Sequence, residues 1–220
     1  MLLPFILFVT GLFSSRTIAS ALRRLIRLYG WILVRIAPFL RPVKVEYPSR
    51  PLPAPAIFVA NHASAIDPYL FGAIEVDENS FVTSWPFRIP IYGFLMRMAG
   101  YVNSNDGWQK VLKKCMALLD CGSSVTIWPE GHRSRDGRLG RFRKGAFVLA
   151  VKSGRPVVPV CILGSGGVLP PGKRLLQPGR VRLVVLPPVY PPASGEQYER
   201  VKVLRQRVRD MIEKRLTTDG

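Results

Sequence analysis

The sequence is short of acids, histidines and cysteines, and each shortage removes a class of protein. Its 220 residues hold 14 Asp and Glu against 32 Lys and Arg, a formal charge of +18, which points away from cationic partners and toward polyanions or anionic surfaces. His62 and His132 are the two histidines, and no Cys or carboxylate cluster stands near them at ligand spacing, so no metal centre is expected. Cys115, Cys121 and Cys161 are odd in number and lack CxxC spacing; they read as thiols of a reducing compartment rather than a disulfide framework. No apolar run reaches the ~20 residues a spanning helix needs. The amino-terminal stretch, residues 1–13, is apolar apart from Thr10 and is expected to insert in a bilayer rather than clearly cross it. There is no fixed-period repeat, which excludes the solenoids.

What is present separates membrane from nucleic acid as the anionic partner. Downstream of the apolar stretch a helical period of about 100° per residue places Ile18, Leu22, Leu25, Ile26, Tyr29, Ile32, Leu33 and Ile36 on one side. Arg16, Arg23, Arg24, Arg27 and Arg35 fall on the other. Such a helix lies in the headgroup plane, with arginines toward lipid phosphates. The pattern also fits a helix packed on its own domain, but five arginines on one side exceed what solubility requires. "ASA" at 19–21 resembles a signal cleavage site. The positive cluster follows the apolar run instead of preceding it, so residues 1–41 read as an uncleaved membrane-anchoring segment with the rest on the cytoplasmic face.

Residues 42–55 are rich in proline and read as a linker. From residue 56 to 220 apolar runs near 57–60, 80–84, 124–128, 157–163 and 181–186 alternate with helical patterns, which predicts an α/β fold: a layered, mostly parallel sheet flanked by helices. "DGWQ" is expected to cap a helix over 107–120, with Trp108, Val111, Leu112, Cys115, Leu118 and Leu119 on its core side; "SGEQ" at 194–197 opens a long carboxy-terminal helix.

In "NHASAIDPYL", residues 61–70, the apolar run ends in His62, and Asp67 precedes a proline suited to the first turn of a helix. Open α/β sheets bind ligands just past the carboxyl ends of their strands. There, a carboxylate on one imidazole nitrogen fixes the tautomer and leaves the other nitrogen free to take a proton from a hydroxyl. Asp67 could equally be a cap, and His-x4-Asp alone is a weak pattern. A second motif, "WPEGHRSRDGRLGRFRKGAF", follows another strand with a basic, glycine-bearing loop in which backbone N–H groups can approach an anion. "GVLPPGK" fails as a P-loop because Arg174 replaces the metal-binding Ser or Thr, and Ser165 lacks the glycine of a nucleophile elbow.

"NHASAID", "WPEGHRS" with "FRKGAF", and "RPVVPV" together resemble the ordered blocks of the lysophospholipid and 1-acylglycerol-3-phosphate acyltransferases, over about residues 45–190. The resemblance implies an O-acyltransferase with His62 as base and Asp67 as its orienter, needing no cofactor. Its acyl donor would be a thioester, acyl-CoA or acyl carrier protein, and its acceptor a lysophospholipid. It also implies acceptor-binding roles for Glu130, Gly131, Arg133, Ser134 and Lys144, with Arg133 on the phosphate; "RPVVPV" is explained by packing alone. His132 stands where the family carries threonine. "GYVNSND" ends in Asp106 where the family carries an arginine, and "FVTSWPF" offers Ser84 and Trp85 where it often carries a lysine. Those departures leave open an acceptor without a phosphomonoester, such as a lyso-aminolipid. A non-catalytic basic protein binding lipid or nucleic acid is the alternative outside enzymology; the amino-terminal segment speaks for membrane and against nucleic acid.

Overall fold

The computed structural model describes residues 15–36, 43–47, 51–76, 78–134, 136–173 and 175–219. The segment 1–13 expected to insert in a bilayer, and Arg135, lie outside them. Seven strands form one sheet: β1 (Val43–Glu46), β2 (Ile57–Ala60), β3 (Asn79–Thr83), β4 (Val102–Asn103), β5 (Ser124–Ile127), β6 (Val157–Leu163) and β7 (Val181–Val185), in the order β1-β7-β6-β2-β5-β3-β4. All neighbouring pairs are parallel except β6 with β7. The mostly parallel α/β sheet expected from the alternating apolar runs is therefore present. β1 falls in the stretch read as a linker and pairs with β7 at the sheet edge.

The helices are α1 (Ser15–Ile36), α2 (Asp67–Leu70), which runs into a 3-10 turn at Phe71–Ala73, α3 (Pro90–Met98), α4 (Trp108–Asp120), α5 (Gly145–Ser153), α6 (Ser165–Val168) and α7 (Gln197–Asp219). β2 is buried throughout, and its side chains alternate between two cores. Phe58 and Ala60 join Phe71, Phe81, Trp128 and Val160 on the α1 and α2 side. Ile57 and Val59 join Leu119, Phe147, Leu204 and Ile212 under α4, α5 and α7. A strand covered on both faces needs continuous rather than alternating apolar sequence, and "AIFVA" is such a run. The chain leaves β2 toward β3 and, after β5, crosses to β6 on the other side of β2. The carboxyl end of β2 thus sits where the connections diverge, the position open sheets use for ligands.

α1 packs against its own domain. Gly30 and Gly72 meet face to face: a Cβ on Gly72 would lie 2.5 Å from the Trp31 nitrogen, and one on Gly30 would lie 2.8 Å from the Tyr69 oxygen. This crossing sets the rotation of the helix and corrects the face expected for its arginines. Arg23 is not turned to lipid but is 7% exposed. Its guanidinium donates to the Ala99 carbonyl at 2.9 Å, to Glu78 Oε2 at 2.8 Å and to Ser123 Oγ at 3.0 Å. Leu22 and Ile26 of the apolar stripe face the core together with Val34 from outside it, while Leu25, Tyr29, Ile32 and Ile36 of the stripe are exposed. No helix among the described residues is long and apolar enough to cross a membrane.

α4 also departs from expectation. It starts at Trp108 behind Gly107, with no side-chain cap, and Asp106 instead forms an ion pair with Lys114 at 2.6 Å. Trp108 is exposed, not core. A positive φ of 84° at Gly107 breaks the chain before the helix and takes the capping position away from Asp106.

Candidate active site

β2 stops at Ala60 because Asn61 diverts the chain while bridging the sheet. Its side-chain amide donates to the Ile162 carbonyl at 2.8 Å, and its oxygen accepts the Ile162 N–H at 2.7 Å. His62 therefore emerges from a clamped strand end. Its Nδ1 lies 2.7 Å from Asp67 Oδ2, and the same oxygen accepts the N–H groups of Ala63 and Ser64, each at 2.9 Å. Asp67 is fully buried, so its Oδ2 is satisfied by these donors rather than by water, while Oδ1 is buried without a hydrogen-bond partner. With an acceptor-only carboxylate opposite, Nδ1 carries the proton and Nε2 is left as the basic nitrogen. Asp67 is not the helix cap: Ile66 holds that position with no side-chain cap bond, and Asp67 begins α2 while its carboxylate goes to the turn before it and to His62.

The opposite wall comes from the end of β5. Trp128 lies 5.0 Å from the His62 ring, tilted by 31°, and is stacked on Phe81 at 5.5 Å. The imidazole thus rests against a buried aromatic column. Glu130 holds two loops together: Oε1 accepts the His62 backbone N–H at 3.0 Å, and Oε2 accepts the Gly140 N–H at 2.7 Å. Burial raises its pKa, opposed by those two donors. The Ser134 N–H adds a bond of 2.7 Å to the His62 carbonyl. Its hydroxyl donates within the loop, to the Arg138 carbonyl at 2.9 Å and to Asp136 at 3.1 Å. Gly131 adopts a φ of 77°, and a Cβ there would lie 2.9 Å from the Arg143 guanidinium carbon, so the turn lets that cation lie across the backbone.

These residues surround one cavity of about 1440 Å³, large enough for two extended substrates to meet. His62, Glu130, Gly131, Arg133, Ser134 and Lys144, named from the sequence, all line it; Asp67 stands behind His62. Its walls differ in charge. The lining contributed by the 129–144 loop carries Arg133, Arg138, Arg143 and Lys144 with Asp136, whereas that contributed by Ser84, Trp85, Ser104, Asn105 and Trp108 is uncharged. Sequence reasoning missed Asn61, Trp128 and Arg143. Trp128 was discoverable as the residue joining the β5 run to "PEG", but its contact with His62 is set by sheet order. Among the described residues no group of three His, Cys, Asp or Glu is placed to hold a metal ion.

The fold agrees with what comparison shows. A family model described as Acyltransferase matches residues 43–163, a span that holds both His62 and the Trp128–Lys144 loop. The chain belongs to the acyltransferase family. The chain is 39% identical over 168 residues to the chloroplastic 1-acyl-sn-glycerol-3-phosphate acyltransferase of Arabidopsis thaliana, across 73% of this chain and 47% of that one. It is 37% identical over 166 residues to the chloroplastic enzyme of the same name from Brassica napus, across 73% of this chain and 48% of that one. The chain thus spans about half the length of these relatives. It matches the crystal structure of the 1-acyl-sn-glycerophosphate acyltransferase PlsC from Thermotoga maritima with a TM-score of 0.72 and 26% identity, covering 96% of this chain and 88% of that one.

Proposed function

We propose that this acyltransferase moves a fatty acyl chain from a thioester donor, acyl-CoA or acyl carrier protein, to the free hydroxyl of 1-acyl-sn-glycerol-3-phosphate at the cytoplasmic face of an anionic membrane. The single observation that carries the reading is the buried Asp67 carboxylate 2.7 Å from His62 Nδ1, with the rest of the ring beside a cavity flanked by cations. His62 Nε2 takes the proton of the acceptor hydroxyl as its oxygen attacks the thioester carbonyl. The tetrahedral intermediate collapses by expelling the thiolate, and the imidazolium returns its proton to that sulfur. Asp67 stabilises the imidazolium while it lasts. A positioned base of this kind contributes about 10² to 10⁴-fold, and holding both substrates in one cavity supplies much of the rest.

Glu130 and Ser134 act as positioning residues, since their hydrogen bonds go to backbone and loop and hold His62 against the basic segment. Arg133 and Lys144 hold the acceptor phosphate, Arg133 by the paired N–H geometry of its guanidinium. The exposed apolar stripe of α1 and its flanking Arg24 and Arg35 support association with an anionic bilayer. Incubation with acyl-CoA and 1-acyl-sn-glycerol-3-phosphate, read by mass spectrometry, yields the diacyl phosphate and free CoA if the reading holds; no acylated lipid under these conditions overturns it.

The uncharged wall of Ser84, Trp85, Ser104 and Asn105 favours a second reading, an acceptor without a phosphomonoester such as a lyso-aminolipid. Two cationic phosphate contacts are missing there, each worth about 1.5 to 3 kcal/mol as a charge-assisted bond. An equimolar mixture of both acceptors decides between the readings by which product accumulates first.

A further inference from the structure

The catalytic domain carries an apolar face of its own, separate from α1. α3 buries Gly93 and Met96 and turns Ile91, Phe94 and Leu95 outward, a spacing of i, i+3 and i+4 that forms one ridge. Ile91 is 79% and Phe94 56% exposed. Ile89 and Trp85, from the preceding turn Trp85–Arg88, extend the ridge and are exposed as well. Contiguous exposure of large apolar side chains marks a surface that something covers.

Charge and continuity identify what covers it. Residues 79–105 contain Arg88 and Arg97 and no Asp or Glu, and both arginines are exposed beside the ridge. A chain of aromatic rings joins the ridge to α1. Tyr29, on the exposed side of α1, meets Tyr69 edge-on at 6.1 Å, Tyr69 neighbours Tyr92 of α3, and Tyr92 lies 6.1 Å from Trp85. Trp85 also lines the catalytic cavity. The exposed stripe of α1, the α3 ridge and the cavity mouth are thus one continuous surface, apolar with tyrosine, tryptophan and arginine within it, the composition that settles at a membrane interface.

We propose that α3 and the turn before it form a second bilayer contact, whose occupant is an anionic phospholipid surface, and that the acceptor lipid passes from that surface to His62 beside Trp85. The proposal rests on the reading of the acceptor as a lipid. It places the membrane against the uncharged wall of the cavity and leaves the basic loop, Arg133 to Lys144, on the far side for the polar substrate groups.

The test uses the full chain with vesicles of phosphatidylcholine, with and without phosphatidylglycerol, and the double variant Ile91→Ser/Phe94→Ser. The expected result is at least a tenfold loss of vesicle partitioning with phosphatidylglycerol present, and a parallel loss of turnover on vesicle-embedded lysolipid. Turnover of a short-chain lysophosphatidate dissolved as monomer stays within twofold. An environment-sensitive fluorophore on Ile91→Cys in a Cys121→Ser background should shift to the blue on adding the same vesicles. Unchanged partitioning of the double variant, a fluorophore that reports water throughout, or light scattering showing that the ridge joins two copies of the chain would overturn the proposal. Absence of turnover on the monomeric acceptor by the unaltered protein would instead sink the acyltransfer reading, so the two failures are distinguishable.

Discussion

Replacing Asp67 by Asn removes one charge from the centre of the site and almost no volume. In the native site a single oxygen accepts three donors, His62 Nδ1 at 2.7 Å and the Ala63 and Ser64 N–H groups at 2.9 Å. The carboxamide keeps one oxygen for the two backbone donors, so the turn survives at a cost of about 1 kcal/mol, one ordinary hydrogen bond. The imidazolium that forms during proton transfer loses its counter-charge, because the oxygen that still faces Nδ1 belongs to a neutral amide. Turnover should fall by about 10² to 10⁴-fold, the full contribution of a positioned base, while KM changes little, because Asp67 is buried behind His62 and does not reach the cavity. Thiol release from acyl-CoA with lysolipid present gives the rates, and circular dichroism melting gives the stability. A folded Asp67→Asn protein with turnover within threefold of the native value would refute the reasoning.

Three further outcomes follow from the same geometry. Glu78 is pushed up by burial but pulled down further by hydrogen bonds from Arg23, Ser20 and Ser123 and by the Arg23 charge, to about 2 against a usual 4.5. Its stabilisation is therefore complete above pH ~4.5 and lost as pH falls toward ~2. Glu78→Gln should cost about 3 kcal/mol in urea unfolding at pH 7, and the gap between variant and native should close between pH 5 and 2; a gap independent of pH contradicts the ion pair. Gly72→Ala sets a methyl against the α1 backbone and should cost about 1 to 3 kcal/mol by overpacking, visible as early proteolysis of α1; an unchanged melting curve contradicts the close crossing. Arg133→Ala should raise KM for the phosphate-bearing acceptor by about tenfold or more, one charge-assisted bond, with KM for acyl-CoA changed less; equal effects on both substrates would contradict a role at the acceptor.

The parts of this architecture legible in sequence are those set by local pattern. β2, β5 and β6 are buried on both faces, so they read as short continuous apolar runs, and the five-residue spacing of His62 and Asp67 spans a turn that a strand and a proline-started helix define between them. What escaped is decided at long range. β1 is four residues carrying Lys44 and Glu46 amid prolines, and only its pairing with β7 makes it a strand. The rotation of α1 depends on the meeting of Gly30 with Gly72, so no periodicity within the helix could show that Arg23 turns inward. The family resemblance implies an acceptor-binding role for Glu130, yet its hydrogen-bond partners are the backbone N–H groups of His62 and Gly140.

His62→Ala measures the central claim most directly, with thiol release from acyl-CoA and vesicle partitioning followed on the same preparation. Loss of the basic nitrogen should lower thiol release in the presence of lysolipid by at least 10²-fold and leave partitioning unchanged, since the exposed faces of α1 and α3 are untouched. Turnover within a few-fold of the native rate in a folded His62→Ala protein would show that proton removal lies elsewhere and would contradict the mechanism.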